Sequence, residues 1–415
     1  MSVKTNIIIL NRVPLSRSPY HEWLDLDAHA LYLLTDAGTA DDLGPARAAY
    51  AEIHEFEHYV HNANVELCAR ALGQRIAVEA IVAYSEVDQI RAARCRQALG
   101  VPGQDLVSAL AFRDKLDMRD RCRAAGLAGP AYARIDDVGD LRDFIDANGY
   151  PVVVKPRLST ASRSVMRLDD DADLARFLVR GLYTDIDVGP PAMVEAFVEG
   201  DLYAVDLLLA GGEVVFFEAL RYVNTCLDYS SRACKSVGLA QVPADHPDVP
   251  RLDRFCRELL RHFPHPGHGG FHIEAFVGPD EVVLCEAASR SGGAGVPQLI
   301  ERSAGFNPDR ATVQLQASHG RDRSWLGASP GSERAYGFLL LAPGDVAGGW
   351  QTPVRSELEF IVDYEPAAAP CGAVDDVAKF AAFAMVEGES IGAMQTHLEQ
   401  LERWFHGDRS GDRHE

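Results

Sequence analysis

Several features are missing from this 415-residue chain, and each absence removes a class of protein. Its eight cysteines (Cys68, Cys95, Cys122, Cys226, Cys234, Cys256, Cys285, Cys371) stand singly with no C-x-x-C pair, so neither a zinc site nor a disulfide framework is signalled. They read as reduced, small apolar residues of a cytosolic protein. No run of about 18 apolar residues occurs, so no transmembrane helix is expected. The short apolar run from Met1 to Leu10 is interrupted too early by Asn11 and Arg12 to be a signal peptide. Positive charge is also scarce: 40 Lys and Arg stand against 61 Asp and Glu, a net charge of -21. A chain of that sign repels nucleic-acid backbones and anionic membranes, so neither is an expected partner. Any anionic nucleotide must therefore meet a local cluster of Lys and Arg, with a divalent cation offsetting nearby carboxylates.

What is present is ordinary globular composition, 47% hydrophobic and 24% charged, over a length that implies two or three linked units. Asn6–Leu10, Ala28–Leu34 and Arg75–Ala83 are apolar, β-rich runs of the kind buried on both faces of a parallel sheet. Between and after them, Gly44–Tyr50, Val65–Leu72 and Glu86–Leu99 read as helical, and the alternation predicts an open α/β domain over residues 1–112. No G-x-G-x-x-G follows the first strand, which disfavours a dinucleotide site there. Ala111–Gly126 reads as one charged helix. From Tyr150 the grammar changes to shorter strands with a hairpin at Gly211-Gly212, an antiparallel α+β pattern. Gly270–Val277 and Glu281–Ala287 form a second hairpin around Gly278-Pro279-Asp280. Strands at Ala335–Leu341 and Glu357–Val362, a closing helix at Ile391–Trp404 and a frayed polar tail after His406 complete the reading.

The second hairpin brings Glu274 and Glu286 onto neighbouring strands among apolar residues, and a pair of carboxylates is a usual way to hold Mg²⁺ beside phosphate oxygens. Next comes Ser289-Arg290-Ser291-Gly292-Gly293-Ala294-Gly295, a glycine turn that offers backbone N–H groups and a guanidinium to a carboxylate or phosphoryl group. Lys155 ends the strand PVVVKPR and faces a loop of small hydroxyl residues, Ser159 to Ser164, suited to triphosphate contact. In VEAFVEG, Val194 to Gly200, a strand enters a turn where backbone groups can meet a flat base. Arg221–Leu239, with Tyr222, Asn224, Arg232 and Lys235, is a candidate specificity loop.

In that order and spacing the pieces resemble the ATP-grasp superfamily over about residues 112–310, and EAASRSGGAGVPQLIERSAGFNP is similar to its carboxylate-amine ligases, including the L-amino acid ligases. The resemblance implies a fold of mixed α/β and α+β class: an N-terminal open α/β domain (1–112), a central lid subdomain (113–200) and a C-terminal antiparallel-sheet domain (201–415) bearing the metal and substrate site. It implies that Lys115, in FRDKLDMRDRC, and Lys155 contact the phosphates of ATP, with Ser162 in the covering loop. Glu195 would stand near the adenine amine, with Ala196, Phe197 and Val198 presenting backbone groups to the base. Glu274 and Glu286 would hold Mg²⁺, with Mn²⁺ as an alternative, and Arg290, Gly292 and Gly293 would meet the substrate, Arg290 as the catalytic group. The chain departs from the pattern in three places. Ser159, Ala161 and Ser164 stand where the family usually has glycines, Ala288 replaces an asparagine metal ligand, and Leu202 replaces the ribose-binding acid, for which Asp201 is the expected substitute. The expected activity joins a small carboxylate, an amino acid among them, to an amine through an acyl phosphate with release of ADP. The alternatives are a ligase acting on a ribosomal or larger peptide and a non-catalytic nucleotide-binding regulator. A homodimer is expected from the relatives alone.

Overall fold

The structure is a computed structural model that describes residues 4–160, 162–180, 192–227, 236–327, 331–342, 358–366 and 380–405. The polar tail after His406, Ala161 of the phosphate loop, and Arg232 and Lys235 lie outside the described residues. Four consecutive residues of the first strand, Ile7 to Leu10, are fully buried, because Ile7 and Ile9 feed a core on one face and Ile8 and Leu10 a core on the other. That two-faced burial marks a parallel sheet. The first unit runs β1 (Thr5–Asn11), α1 (Tyr20–Trp23), β2 (His29–Asp36), β3 (Tyr50–Phe56), α2 (Asn64–Arg75), β4 (Val78–Val82) and α3 (Gln89–Leu99). The strands are all parallel, in the order β3-β2-β1-β4.

Gly44–Tyr50 is not the helix its sequence suggests. A 3-10 segment covers Asp41–Ala49, broken at Gly44 where φ is 49°, and Tyr50 opens β3. This edge strand, YAEIHEF, is half exposed and so lacks the apolar run that gave away its neighbours. The helix expected over Ala111–Gly126 starts later, as α5 (Lys115–Ala124), and a separate short helix, α4 (Leu106–Ala111), ends where it was expected to begin. Asp114 breaks the run because its carboxylate accepts from Leu116 N–H and caps α5. Phe112, Met118 and Cys122 pack into the core of the large C-terminal sheet, so α5 is anchored there rather than in the small central sheet.

The central unit holds β5 (Tyr132–Ile135), α6 (Val138–Asn148), β6 (Val152–Pro156), β7 (Met166–Leu168), α7 (Asp171–Arg180) and β8 (Ala192–Ala196), with antiparallel order β5-β8-β6-β7. Asp137 starts α6 with a reciprocal capping box to Asp140. The third unit holds β9 (Asp201–Ala210), β10 (Glu213–Tyr222), β11 (Val237–Gln241), α8 (Asp248–His262), β12 (Gly269–Val277), β13 (Val282–Ala288), α9 (Val296–Ala304), α10 (Pro308–Ala317), β14 (Ala335–Leu341), β15 (Ile361–Pro366), β16 (Ala382–Gly388) and α11 (Ile391–Phe405). Its eight strands form one antiparallel sheet, β13-β12-β9-β10-β11-β14-β16-β15. Gly211 and Gly212 turn β9 into β10 with φ of 66° and 83°, a pair of left-handed conformations that glycine adopts without strain. Val313 and Ala317 of α10 enter the core under the first sheet, which locks that sheet to the third unit. Among the described residues no helix is long and apolar enough to cross a membrane.

Candidate active site

The site grows from the β12–β13 hairpin. Glu274 and Glu286 are direct cross-strand partners, and the register slips by one residue immediately beyond them, leaving Cys285 as the extra residue of a bulge. Both carboxylates are largely buried, and each is tethered through one oxygen. Oε1 of Glu274 accepts from Tyr222 Oη at 2.5 Å and lies 3.3 Å from His272 Nε2, while Oε2 of Glu286 is 2.9 Å from Lys115 Nζ. Oε2 of Glu274 and Oε1 of Glu286 have no hydrogen-bond partner among the described residues. Burial pushes the Glu286 carboxyl up, but the Lys115 ammonium, with Lys155 and Arg290 beyond it, outweighs burial and holds it well below the usual range. The same pairing overcomes the burial of Lys115 and raises its pKa. Lys115 also donates to Ser159 O at 3.0 Å, joining α5 to the hydroxyl-rich loop.

Lys155, at the end of β6, pairs at 2.6 Å with Glu195 on β8 rather than with either hairpin glutamate. Glu195 is 5% exposed and takes a second cation, Arg119 of α5, through bonds of 2.6 and 3.2 Å. Burial raises its pKa, but the two cations lower it further, so the net shift is downward. Both of its oxygens thus face protein cations. Arg119 goes on to donate to Cys285 O at 2.9 Å, tying α5, β8 and β13 together. Sequence reading passed over Arg119, although its i, i+4 spacing from Lys115 puts both cations on one helix face.

In the segment after Glu195, the N–H groups of Ala196 and Phe197 donate to Ala131 O and Pro151 O, whereas Val198 N–H has no partner among the described residues. The Arg167 guanidinium lies over the Phe197 ring, 4.1 Å from its centroid. Asp201 is half exposed and paired with Arg221 at 2.7 Å. Ser162 and Ser164 have φ of 53° and 60°. The loop therefore keeps a left-handed backbone at Ser164, where the family usually has glycine, at a cost of about 1–2 kcal/mol.

Arg290 reaches across to the first unit, where its Nε and Nη2 contact Glu86 Oε2 at 2.8 and 2.6 Å, while Arg113 flanks Glu86 Oε1 at 3.1 Å. Burial opposes the Arg290 charge, but Glu86 dominates and raises its pKa. Neither Glu86 nor Arg113 carries a motif that sequence reading could have used. Gly292 N–H donates to Asp206 Oδ1 at 2.6 Å. A side chain there would strike Val296 and Asp206 at 2.8 and 2.9 Å, whereas a side chain at Gly293 would point into open space. Asp206 Oδ2 is also 2.9 Å from His272 Nδ1. Burial disfavours the His272 imidazolium, yet Asp206 and Glu274 outweigh it and lift its pKa to about 10. The structure thus brings Lys115, Glu274, Glu286, Tyr222 and the Arg290 turn together, and sets Lys155 and Glu195 apart as a buried cluster beside them. Asn224 is drawn away, donating to Ser236 O at 2.7 Å.

No known family model matches the chain. In sequence it is 24% identical over 247 residues to the L-arginine-specific L-amino acid ligase of Bacillus subtilis, a match covering 58% of each chain. It is 26% identical over 190 residues to the formate-dependent phosphoribosylglycinamide formyltransferase of Methanocaldococcus jannaschii, covering 42% of this chain and 43% of that one. The matched segment thus spans less than two thirds of either relative. Solved structures match along almost the whole chain. The L-amino acid ligase of Bacillus licheniformis superposes with a TM-score of 0.69 at 15% identity over 98% of both chains. The carboxyaminoimidazole ribonucleotide synthase of Aspergillus clavatus, complexed with ATP, gives 0.70 at 15% identity over 98% of this chain and 99% of that one. The fold and the sequence matches agree: the chain has the ATP-grasp fold and is similar in sequence to carboxylate-amine ligases.

Proposed function

We propose that the chain is an ATP-dependent ligase that joins a small carboxylate, of the amino acid class, to an amine and releases ADP and phosphate. The observation that carries this reading is the opposed pair Glu274 and Glu286, with Lys115 2.9 Å from Glu286 and each carboxylate keeping one oxygen without a partner among the described residues. Two hard, anionic oxygens on adjacent strands fit Mg²⁺, which takes few protein ligands and completes its shell with phosphate oxygens and water. When bound, such an ion supplies charge neutralisation for the triphosphate.

The chain's own groups then act mainly by position and charge, as phosphoryl transfer requires. Lys115 leaves Glu286 for a phosphate oxygen, and Lys155, anchored by Glu195, adds positive charge beside it. Val198 N–H is the hinge donor left for the base. Arg290 holds the acceptor carboxylate in place of Glu86, and Glu86 keeps the guanidinium oriented until that anion arrives. A carboxylate oxygen attacks the γ-phosphorus and the bond to the β-phosphate oxygen breaks, giving an acyl phosphate and ADP. The amine then attacks the acyl carbon, phosphate leaves with the C–O bond electrons, and the amine proton is lost. The central unit is the candidate lid that excludes water between these steps.

The test is ADP release with amino acids offered singly and in pairs. Turnover that needs both a carboxylate and an amine, and that collapses in Glu286→Gln, is the expected result. Unchanged turnover in that variant would remove the reading.

A further inference from the structure

The two lysines assigned to the phosphates belong to different units. Lys115 opens α5, which is seated on the large sheet through Met118 and Cys122, whereas Lys155 stands at the end of β6 in the small central sheet. The gap between their ammonium groups is therefore set by whatever holds α5 against β6. One tie is buried, where Arg119 of α5 meets Glu195, the partner of Lys155. The other lies nearer solvent and uses residues to which the steps above give no part.

Arg157 follows Lys155 by two residues, and Asp114 directly precedes Lys115. Their side chains meet as a fork, Arg157 Nε donating to Asp114 Oδ1 at 2.9 Å and Nη2 to Oδ2 at 2.5 Å. A two-point contact between planar groups fixes orientation as well as distance, which a single ion pair does not. The side chains are 19% and 14% exposed, so solvent screens the pair only in part. The other acids near Arg157, Asp117 and Asp136, pair with Arg121 and Arg134. The backbone repeats the link at the same point, with Lys115 N–H donating to Arg157 O at 3.1 Å. Lys115 Nζ adds a contact to Ser159 O at 3.0 Å, which ends once the ammonium turns to a phosphate. The fork does not involve that ammonium and outlasts the turn.

We propose that Arg157 and Asp114 are positioning residues, a clamp between two units that sets the spacing of Lys115 and Lys155 for the nucleotide phosphates. This rests on the nucleotide-site reading above and deepens it. Asp114 has a second task, since its Oδ1 also caps α5 through Leu116 N–H. The two tasks separate in Asp114→Asn, because asparagine caps a helix as well as aspartate but brings no charge to the guanidinium.

Calorimetric titration of the full chain with Mg²⁺ and a non-hydrolysable ATP analogue tests this, alongside thermal melting of each protein without nucleotide. Asp114→Asn and Arg157→Gln should each weaken analogue binding by about tenfold without a matching drop in melting temperature. The double variant should bind no more weakly than the worse single one, because both changes remove the same contact. Arg157→Lys, which keeps the charge but not the fork, should recover part of the loss. Binding within about twofold of wild type in both single variants would overturn the clamp. So would losses that add in the double variant, or that merely follow the melting temperature. Each of those outcomes leaves the nucleotide site standing. Failure of the wild type to bind the analogue would remove the underlying reading instead, so the two failures are distinguishable.

Discussion

Glu195 and the hairpin pair Glu274 and Glu286 are three largely buried glutamates close to one site, yet their partners divide them. Glu195 meets two cations, Arg119 and Lys155, so both of its oxygens are spent inside the protein. Glu274 and Glu286, cross-strand partners, each keep one oxygen without a partner among the described residues. A carboxylate whose two oxygens both face buried protein cations is already charge-compensated within the fold and has little left to offer an ion. The two with oxygens to spare are the ones able to receive a cation. What separates a structural acid from a ligand acid is therefore the count of partners, not burial or motif.

That contrast breaks most visibly at Glu195. Glu195→Gln leaves Arg119 and Lys155 buried against a neutral group, so we expect a loss of about 3–5 kcal/mol of folding stability in urea denaturation. Its folded pKa is lowered, so the stability it contributes is fully present above the unfolded value near 4.5 and drains away as pH falls through the folded pKa. The gap between wild type and variant should accordingly narrow below about pH 4.5. Glu286→Gln is the converse. It should cost on the order of 10²- to 10³-fold in ADP release, with a smaller loss of stability than Glu195→Gln. Equal stability losses in the two variants would erase the distinction. Tyr222→Phe sharpens it on a finer scale. Removing the hydroxyl that fixes Glu274 Oε1 should weaken turnover by roughly tenfold, seen as a lower kcat with little change in KM for nucleotide.

Three strands of the first sheet, β1, β2 and β4, were legible from their apolar runs, and both hairpins from apolar runs that meet at a glycine turn. The break before Lys115 was not, since Asp114 caps the next helix through a bond that composition does not announce, and β3 hid behind its polar edge pattern. β11, β16 and α8 also went unread. Within the site, Glu274 and Glu286 were readable from hairpin geometry, and the Arg290 turn from its glycines. Glu195 was read as a base contact, whereas the structure gives it Arg119 and Lys155. Arg119, Glu86, Arg113 and the Asp206–His272 pair escaped notice because their meaning comes from strand order and from contacts between units far apart in the chain.

In the proposed site the hairpin carboxylates Glu274 and Glu286 would hold a divalent cation that presents the triphosphate to Lys115 and Lys155. Diffraction at the manganese edge from crystals grown with Mn²⁺ and a non-hydrolysable ATP analogue tests it directly. The account predicts an anomalous peak about 2.0–2.2 Å from both Glu274 Oε2 and Glu286 Oε1, with phosphate oxygens completing its shell. A nucleotide bound with its metal away from both glutamates would contradict it.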